Sequence, residues 1–221
     1  MDSIAQNIQN IKAQIGENCT LVAVSKTYPP ETIIQAYNAG QRVFGENWVQ
    51  ELIAKKDLLP NDIQWHLIGH LQSNKIKYII NFVSLIHSVD SEKLLQAIDK
   101  EAAKINRVVP CLLQMYIADE ETKFGLDEQE LYNILDNLSQ YKHIQIAGLM
   151  GMATNTHNQE KIKSEFTFLK DLYNKVQAEY FPNDPDFKHL SMGMSSDYKL
   201  AVACGSNMIR IGSILFNSKA E

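Results

Sequence analysis

Apolar positions recur along the chain with two alternating rhythms. Ile4, Ile8, Ile11 and Ile15 fall three or four residues apart and predict a helix over residues 3–17. From there, short apolar runs alternate with helical patterns. Strands are expected at 20–26, 42–46, 63–69, 83–89, 108–117, 144–152, 189–194 and 208–216. Helices are expected at 30–39, 48–59, 74–81, from a Ser91 cap to about Asn106, and at 128–140, 158–179 and 197–204. Tyr28-Pro29-Pro30, the polar loop 118–127 and the Pro182/Pro185 segment punctuate the pattern.

The strand patterns are mostly apolar at successive positions, as strands covered on both faces require. Eight of them, each but the last followed by a helix, predict a single-domain (β/α)8 TIM barrel with an extra N-terminal helix, spanning residues 1–221. A doubly wound open sheet is the alternative. It usually has fewer strands, and no GxGxxG follows the first strand.

Composition narrows the partners. The 221 residues are 45% hydrophobic and 21% charged, with a net charge of −5 and no basic block, which argues against nucleic acid. Cys19, Cys111 and Cys204 are far apart and form no CxxC pair. That excludes a zinc or disulfide framework and suits a reducing cytosol. The N-terminus lacks a basic start and a long apolar run, and no stretch is long enough to span a membrane, so a cytoplasmic protein is expected.

In a barrel of this kind the chemistry gathers on loops at the carboxyl ends of the strands. The first strand, Leu21-Val-Ala-Val-Ser-Lys-Thr27, ends in Lys26. That lysine either marks where a strand reaches solvent or holds a carbonyl cofactor as a Schiff base. The second strand leads to Asn47, the third to Gly69-His70-Leu71-Gln72-Ser73-Asn74-Lys75, and the fifth to Tyr116 and Lys123-Phe124-Gly125. After the seventh, Ser191, Gly193, Ser195 and Ser196 precede a short helix; after the eighth come Arg210, Gly212 and Ser213. Loops seven and eight are where such barrels often build a phosphate cup from glycine N–H groups, hydroxyls and a helix start. Each half alone also reads as an ordinary helix cap or strand glycine.

Alternation places Arg210 and Gly212 on one face of the last strand, opposite Ile209 and Ile211. A charge there is either paired with a neighbouring carboxylate or donates to a ring nitrogen or phosphate of a ligand. Lysine amine, phosphate cup and arginine at one barrel mouth suggest pyridoxal 5′-phosphate, whose aldehyde takes an amine and whose pyridine nitrogen needs a partner. His66, His87 and His189 lack metal-ligand spacing and read as structural, and Met150, Met152 and Met194 as packing.

Six motifs then carry a resemblance: Ala23-Val-Ser-Lys-Thr27, Phe44-Gly-Glu-Asn47, Trp65 to Lys75, His87-Ser-Val-Asp90, Leu190-Ser-Met-Gly-Met-Ser195 and Ile209-Arg-Ile-Gly212. Together, in order and over nearly the whole chain, they resemble the pyridoxal phosphate homeostasis proteins, also called the proline synthetase co-transcribed homologue family. The resemblance implies a barrel similar to the N-terminal domain of alanine racemase and of eukaryotic-type ornithine decarboxylases. It implies Lys26 as the cofactor-bearing lysine and Asn47 beside the cofactor. Ser191, Ser195, Gly212 and Ser213 would form the phosphate cup, and Arg210 would face the pyridine nitrogen. Tyr116 and Trp48 depart from the family, many members having asparagine and tyrosine there.

The implied role is to bind and deliver pyridoxal phosphate in vitamin B6 homeostasis, without catalytic turnover, with pyridoxal-phosphate-dependent apo-enzymes as acceptors. Racemisation needs an acid/base group on each face of the cofactor, and in the racemases one comes from a second domain. The chain ends at Glu221, directly after the last strand, so a monomeric carrier is expected. A small amino-acid racemase or decarboxylase is the alternative. An interaction protein that merely keeps the fold is a third reading.

Overall fold

The computed structural model describes residues 3–119 and 124–216, so Lys123 lies outside the described residues. The elements run α1 (Ile4–Ile15), β1 (Thr20–Val24), α2 (Pro30–Asn38), β2 (Val43–Glu46), α3 (Val49–Lys56), β3 (Gln64–Leu67), a 3₁₀ segment (Ser73–Tyr78) and β4 (Leu85–Val89). They continue with α4 (Glu92–Ala103), β5 (Val109–Met115), α5 (Glu128–Asp136), a 3₁₀ turn (Leu138–Gln140), β6 (Ile144–Gly151), α6 (Gln159–Tyr180), β7 (His189–Ser191), α7 (Tyr198–Ala203), β8 (Met208–Ile211) and α8 (Ser213–Phe216).

All eight strands are parallel and close in sequence order. The β1–β8 pair seals the barrel, with Thr20 opposite Met208, Val22 opposite Arg210 and Ala23 opposite Ile211. The (β/α)8 barrel with an N-terminal helix is therefore the fold. Several element ends differ from the sequence expectation, and the helix expected at 128–140 divides into α5 and a 3₁₀ turn. The helix expected at 74–81 is a 3₁₀ segment, Ser73–Tyr78. The seventh strand keeps only three residues, although the Met192 N–H and the Gly193 carbonyl still bond to β8. The eighth stops at Ile211 rather than at residue 216: the Gly212 carbonyl accepts N–H groups from Leu215 and Phe216, which turns the chain into α8. The last strand too is thus followed by a helix. That turn buries Leu215 and Phe216 against α1, where Asn7 donates from Nδ2 to the Leu215 carbonyl at 3.0 Å, and Phe216 meets Tyr28 with ring centroids 4.5 Å apart.

Side-chain alternation divides the core in two. Leu21, Ala23, Ile209 and Ile211 point outward and join the large apolar layer between strands and helices. Val22, Leu85, Leu112, Ala147, Met150 and Met208 form a separate small cluster that fills the bore. Arg210 shares the inward parity of Met208 and Val22, and so extends from the bore towards the carboxyl mouth. Helix starts are well specified: Ser91 caps α4 by accepting from the Leu94 N–H, and Asp127 and Glu130 form a reciprocal capping box on α5.

Candidate functional site

The turn after β1 is held from below. Thr27 sits at φ +66°, a left-handed conformation unusual for a β-branched residue, and Lys26 projects from the same turn into solvent. Lys26 makes no hydrogen bond or ion pair with the described residues. Its neighbours are tightly engaged. The Ser25 hydroxyl donates to Glu46 Oε1 at 2.6 Å, and the Thr27 N–H donates to Glu51 Oε2 at 2.9 Å. Lys55 Nζ, buried beneath the turn, donates at 2.8 Å to each of the Ser25 carbonyl, Glu46 Oε1 and Glu51 Oε2. Burial pushes the Glu46 carboxyl up to about 6, partly offset by the hydrogen bonds from Lys55 and Ser25. At Glu51 burial also acts upward, but hydrogen bonds from Lys55 and the Thr27 N–H outweigh it and the carboxyl is lowered.

A second polar assembly crosses the bore. Arg210 Nη1 donates to the Ser191 hydroxyl at 2.6 Å and to the Ser191 carbonyl at 3.0 Å, and Nη2 donates to the Gly151 carbonyl at 3.2 Å. Ser191 Oγ also lies 3.1 Å from His87 Nδ1, and His87 Nε2 lies 2.9 Å from His66 Nδ1. A guanidinium only donates, so Ser191 Oγ accepts from it, and among the described residues the acceptor in reach of the serine proton is His87 Nδ1. His87 then donates from Nε2 to His66 Nδ1. The file has a single direction, set by the arginine.

Burial holds these imidazoles neutral. His66 is pushed down to about 3 by burial and then by His189; His87 lies well below the ordinary value through burial and its neighbours His66, Arg210 and His189. Burial lowers Arg210 to about 10, so it stays charged near neutrality. None of the ion pairs among the described residues includes Arg210. The Asp197 charge acts on Arg210 without making one of those ion pairs.

Because β7 pairs with β8 and β8 with β1, the loops bearing Ser195, Gly212/Ser213 and Lys26 adjoin on one arc of the mouth. Arg210 N–H donates to the Gly193 carbonyl, tying the two strand ends together. Gly193 adopts φ +100°, and a Cβ there would lie 2.6 Å from the Ala201 methyl. Ser195 is half-buried and Ser196 exposed; their hydroxyls and N–H groups find no acceptor among the described residues. Ser213 is exposed at the start of α8. The Ser191 hydroxyl, by contrast, is wholly buried and taken up by Arg210 and His87. Asn47, across the mouth, lines two cavities of about 280 and 260 Å³ that share Gly69 and His70. His70 Nδ1 lies 3.0 Å from Asp90 and its ring stacks on Phe124.

Sequence reading located the strand-end residues but missed Lys55, Glu51 and the roles of His66 and His87. One sign was available: Lys55 falls on the buried face of α3 with Val49 and Leu52, where a helix pattern calls for an apolar residue. The two histidines carried no pattern, since their partnership joins three strands.

Residues 1–219 match the family model of the alanine racemase N-terminal domain, so the chain belongs to that family. Within it the chain belongs to the pyridoxal phosphate homeostasis proteins. It is 40% identical to the one from Aquifex aeolicus over 210 residues, 94% of this chain and 91% of the relative. It is 37% identical to the one from Schizosaccharomyces pombe over 228 residues, 99% and 94% of the two chains. PipY of Synechococcus elongatus, solved with PLP bound, superposes with a TM-score of 0.87 at 38% identity, covering 97% of this chain and 100% of PipY; the form without PLP gives 0.90. Alanine racemase from Bartonella henselae shares the fold at 17% identity and a TM-score of 0.73, with 60% of its length covered. Among the described residues no helix is long and apolar enough to cross a membrane, and no His/Cys/Asp/Glu group is arranged to hold a metal ion.

Proposed function

We propose that this protein binds pyridoxal 5′-phosphate through Lys26 and serves as a carrier in vitamin B6 homeostasis rather than as a catalyst. The observation that carries the reading is the adjacency, among the described residues, of three complementary groups: a lysine amine with no hydrogen-bond or ion-pair partner, a buried arginine in no ion pair, and the Ser195–Ser196 N–H groups and hydroxyls, which find no acceptor. These fit the cofactor's aldehyde, its ring nitrogen and its phosphate. When bound, the cofactor supplies an electrophilic carbon to an amine and a ring able to withdraw electrons.

Lys26 would tether the cofactor. Ser195, Gly212 and Ser213 would hold the phosphate, Ser195 and Ser213 by hydroxyl or N–H and Gly212 by leaving room for the backbone. Arg210, as a donor, would hydrogen-bond the ring nitrogen and keep it unprotonated, which weakens the ring as an electron sink. Ser191 serves that arginine rather than the phosphate through its hydroxyl. Asn47 would close the opposite side. The relatives that carry the homeostasis name and match along nearly their full length favour the carrier role over turnover. The partners we infer are apo-enzymes that take up the cofactor, reached in the cytoplasm by a monomer.

The test is the visible spectrum of the protein incubated with pyridoxal phosphate, before and after borohydride, beside Lys26→Ala. The wild type should show a cofactor band that borohydride fixes to the peptide bearing Lys26, and the variant should show none. A colourless wild type would reject the reading, and steady turnover in a chiral assay of amino-acid panels would replace the carrier with a racemase.

A further inference from the structure

We infer that the buried Lys55–Glu46–Glu51 cluster is a positioning device for Lys26, fixing the direction in which the lysine leaves the barrel wall. The inference rests on the reading of Lys26 as the cofactor's tether. Its foundation is the set of contacts rather than the charge alone. The cluster grips the chain on both sides of Lys26: the Ser25 carbonyl and hydroxyl on one side, the Thr27 N–H on the other. Three elements meet there, the ends of β1 and β2 and the first two turns of α3. With both neighbours pinned, the root of the Lys26 side chain cannot swing with the loop.

Three features set the cluster apart from a core ion pair kept for stability. First, Glu46 is wholly buried, yet its Oε2 has no hydrogen-bond partner among the described residues, so only one carboxylate oxygen is engaged there. Second, a lysine and a glutamate in such a place are commonly replaced by apolar residues without loss of stability, so stability alone does not account for them. Third, the bonds converge on a turn with Thr27 at φ +66°, a conformation that persists only where its surroundings enforce it. Lys26 itself takes no part in the cluster, and its amine stays open to a ligand.

The test compares Glu51→Ala, Glu51→Gln and the double variant Glu46→Gln/Lys55→Met, each loaded with pyridoxal phosphate. Glu51 is partly exposed, so its variants keep the fold, and the double variant leaves no single charge buried. Two readouts are taken: the circular dichroism of the cofactor band per bound cofactor, which reports fixed orientation, and the decay of that band on large dilution. Glu51→Ala removes the acceptor of the Thr27 N–H and should release cofactor about tenfold faster, the effect of one charged hydrogen bond, with a weakened dichroic band. Glu51→Gln retains an acceptor oxygen and should restore both readouts to within about twofold of wild type. The double variant should behave like Glu51→Ala. Wild-type dichroism and release in both Glu51→Ala and the double variant overturn the inference, even if their melting temperatures fall. Failure of the Lys26 reading looks different: cofactor would then remain covalently bound in Lys26→Ala.

Discussion

Ser191→Ala tests the buried file through its central atom. The hydroxyl accepts from Arg210 at 2.6 Å and donates to His87 at 3.1 Å, in a position with no exposed surface. Removing it deletes a charged hydrogen bond and strips His87 Nδ1 of its donor. Arg210 keeps the carbonyls of Ser191 and Gly151 at 3.0 and 3.2 Å, so the guanidinium is not abandoned. A charged bond contributes about 1.5–3 kcal/mol and an orphaned buried acceptor costs about 1–3 kcal/mol; allowing for relaxation, the loss should be about 2–4 kcal/mol. That is a large part of the stability of an ordinary domain. The assay is urea denaturation of the cofactor-free protein, followed by far-ultraviolet circular dichroism. Ser195→Ala provides the contrast: its side chain is half-buried and its hydroxyl has no partner among the described residues, so stability should change by less than about 0.5 kcal/mol. Cofactor affinity should instead fall about tenfold, through loss of a phosphate contact. A loss below about 0.5 kcal/mol for Ser191→Ala refutes the file as drawn.

The histidines predict a pH dependence of stability. His66 and His87 titrate well below 6.5 in the folded protein, so their contribution is complete above pH 6.5 and is lost as the pH falls towards their folded values. His189, lowered to about 4 by burial and by Lys188, acts in the same direction. Glu46, raised from 4.5 to about 6, opposes them: between those values the folded state holds its proton and the unfolded state does not. The balance is one to two protons, so stability should fall by about 1.4–2.7 kcal/mol per pH unit on acidification from pH 6 to 4.5. Urea midpoints that stay level or rise over that window would contradict this. Gly148→Ala should prevent folding, because Gly148 sits at φ +146° and a Cβ would lie 1.8 Å from the His189 carbonyl oxygen; soluble, folded protein would be the refuting result. Asp127→Ala removes the α5 capping box and should cost about 1 kcal/mol in the same denaturation assay, with cofactor binding unchanged.

Much of the barrel was legible because it depends on local periodicity. Short apolar runs alternating with period-3.6 stretches indicate all eight strands, and alternation along β8 sets Arg210 on the face opposite Ile209 and Ile211, which the closed barrel turns towards the bore. The rule that loops at strand carboxyl ends carry chemistry then brought Lys26, Ser195, Gly212 and Ser213 to one arc of the mouth, since adjacency around a closed barrel follows strand order. Ends of elements were read less well. The eighth strand was overrun because Leu215 and Phe216 are apolar in either a strand or a helical turn, and only their packing on α1 distinguishes the two.

The sequence by itself thus determined the fold, the tether lysine as a candidate and the side of the barrel on which it lies. Only the tertiary structure decided which polar groups hold which. Lys55 reaches the turn of Lys26 from a helix, and Ser191, His87 and His66 meet from three strands separated by as many as 125 positions along the chain (191 − 66). No local pattern encodes such a meeting, because a hydrogen bond depends on where two atoms end up in space. That also separated Ser191 from Ser195, equivalent hydroxyls in the sequence. One is sealed in the bore beneath Arg210, and the other is left open at the mouth.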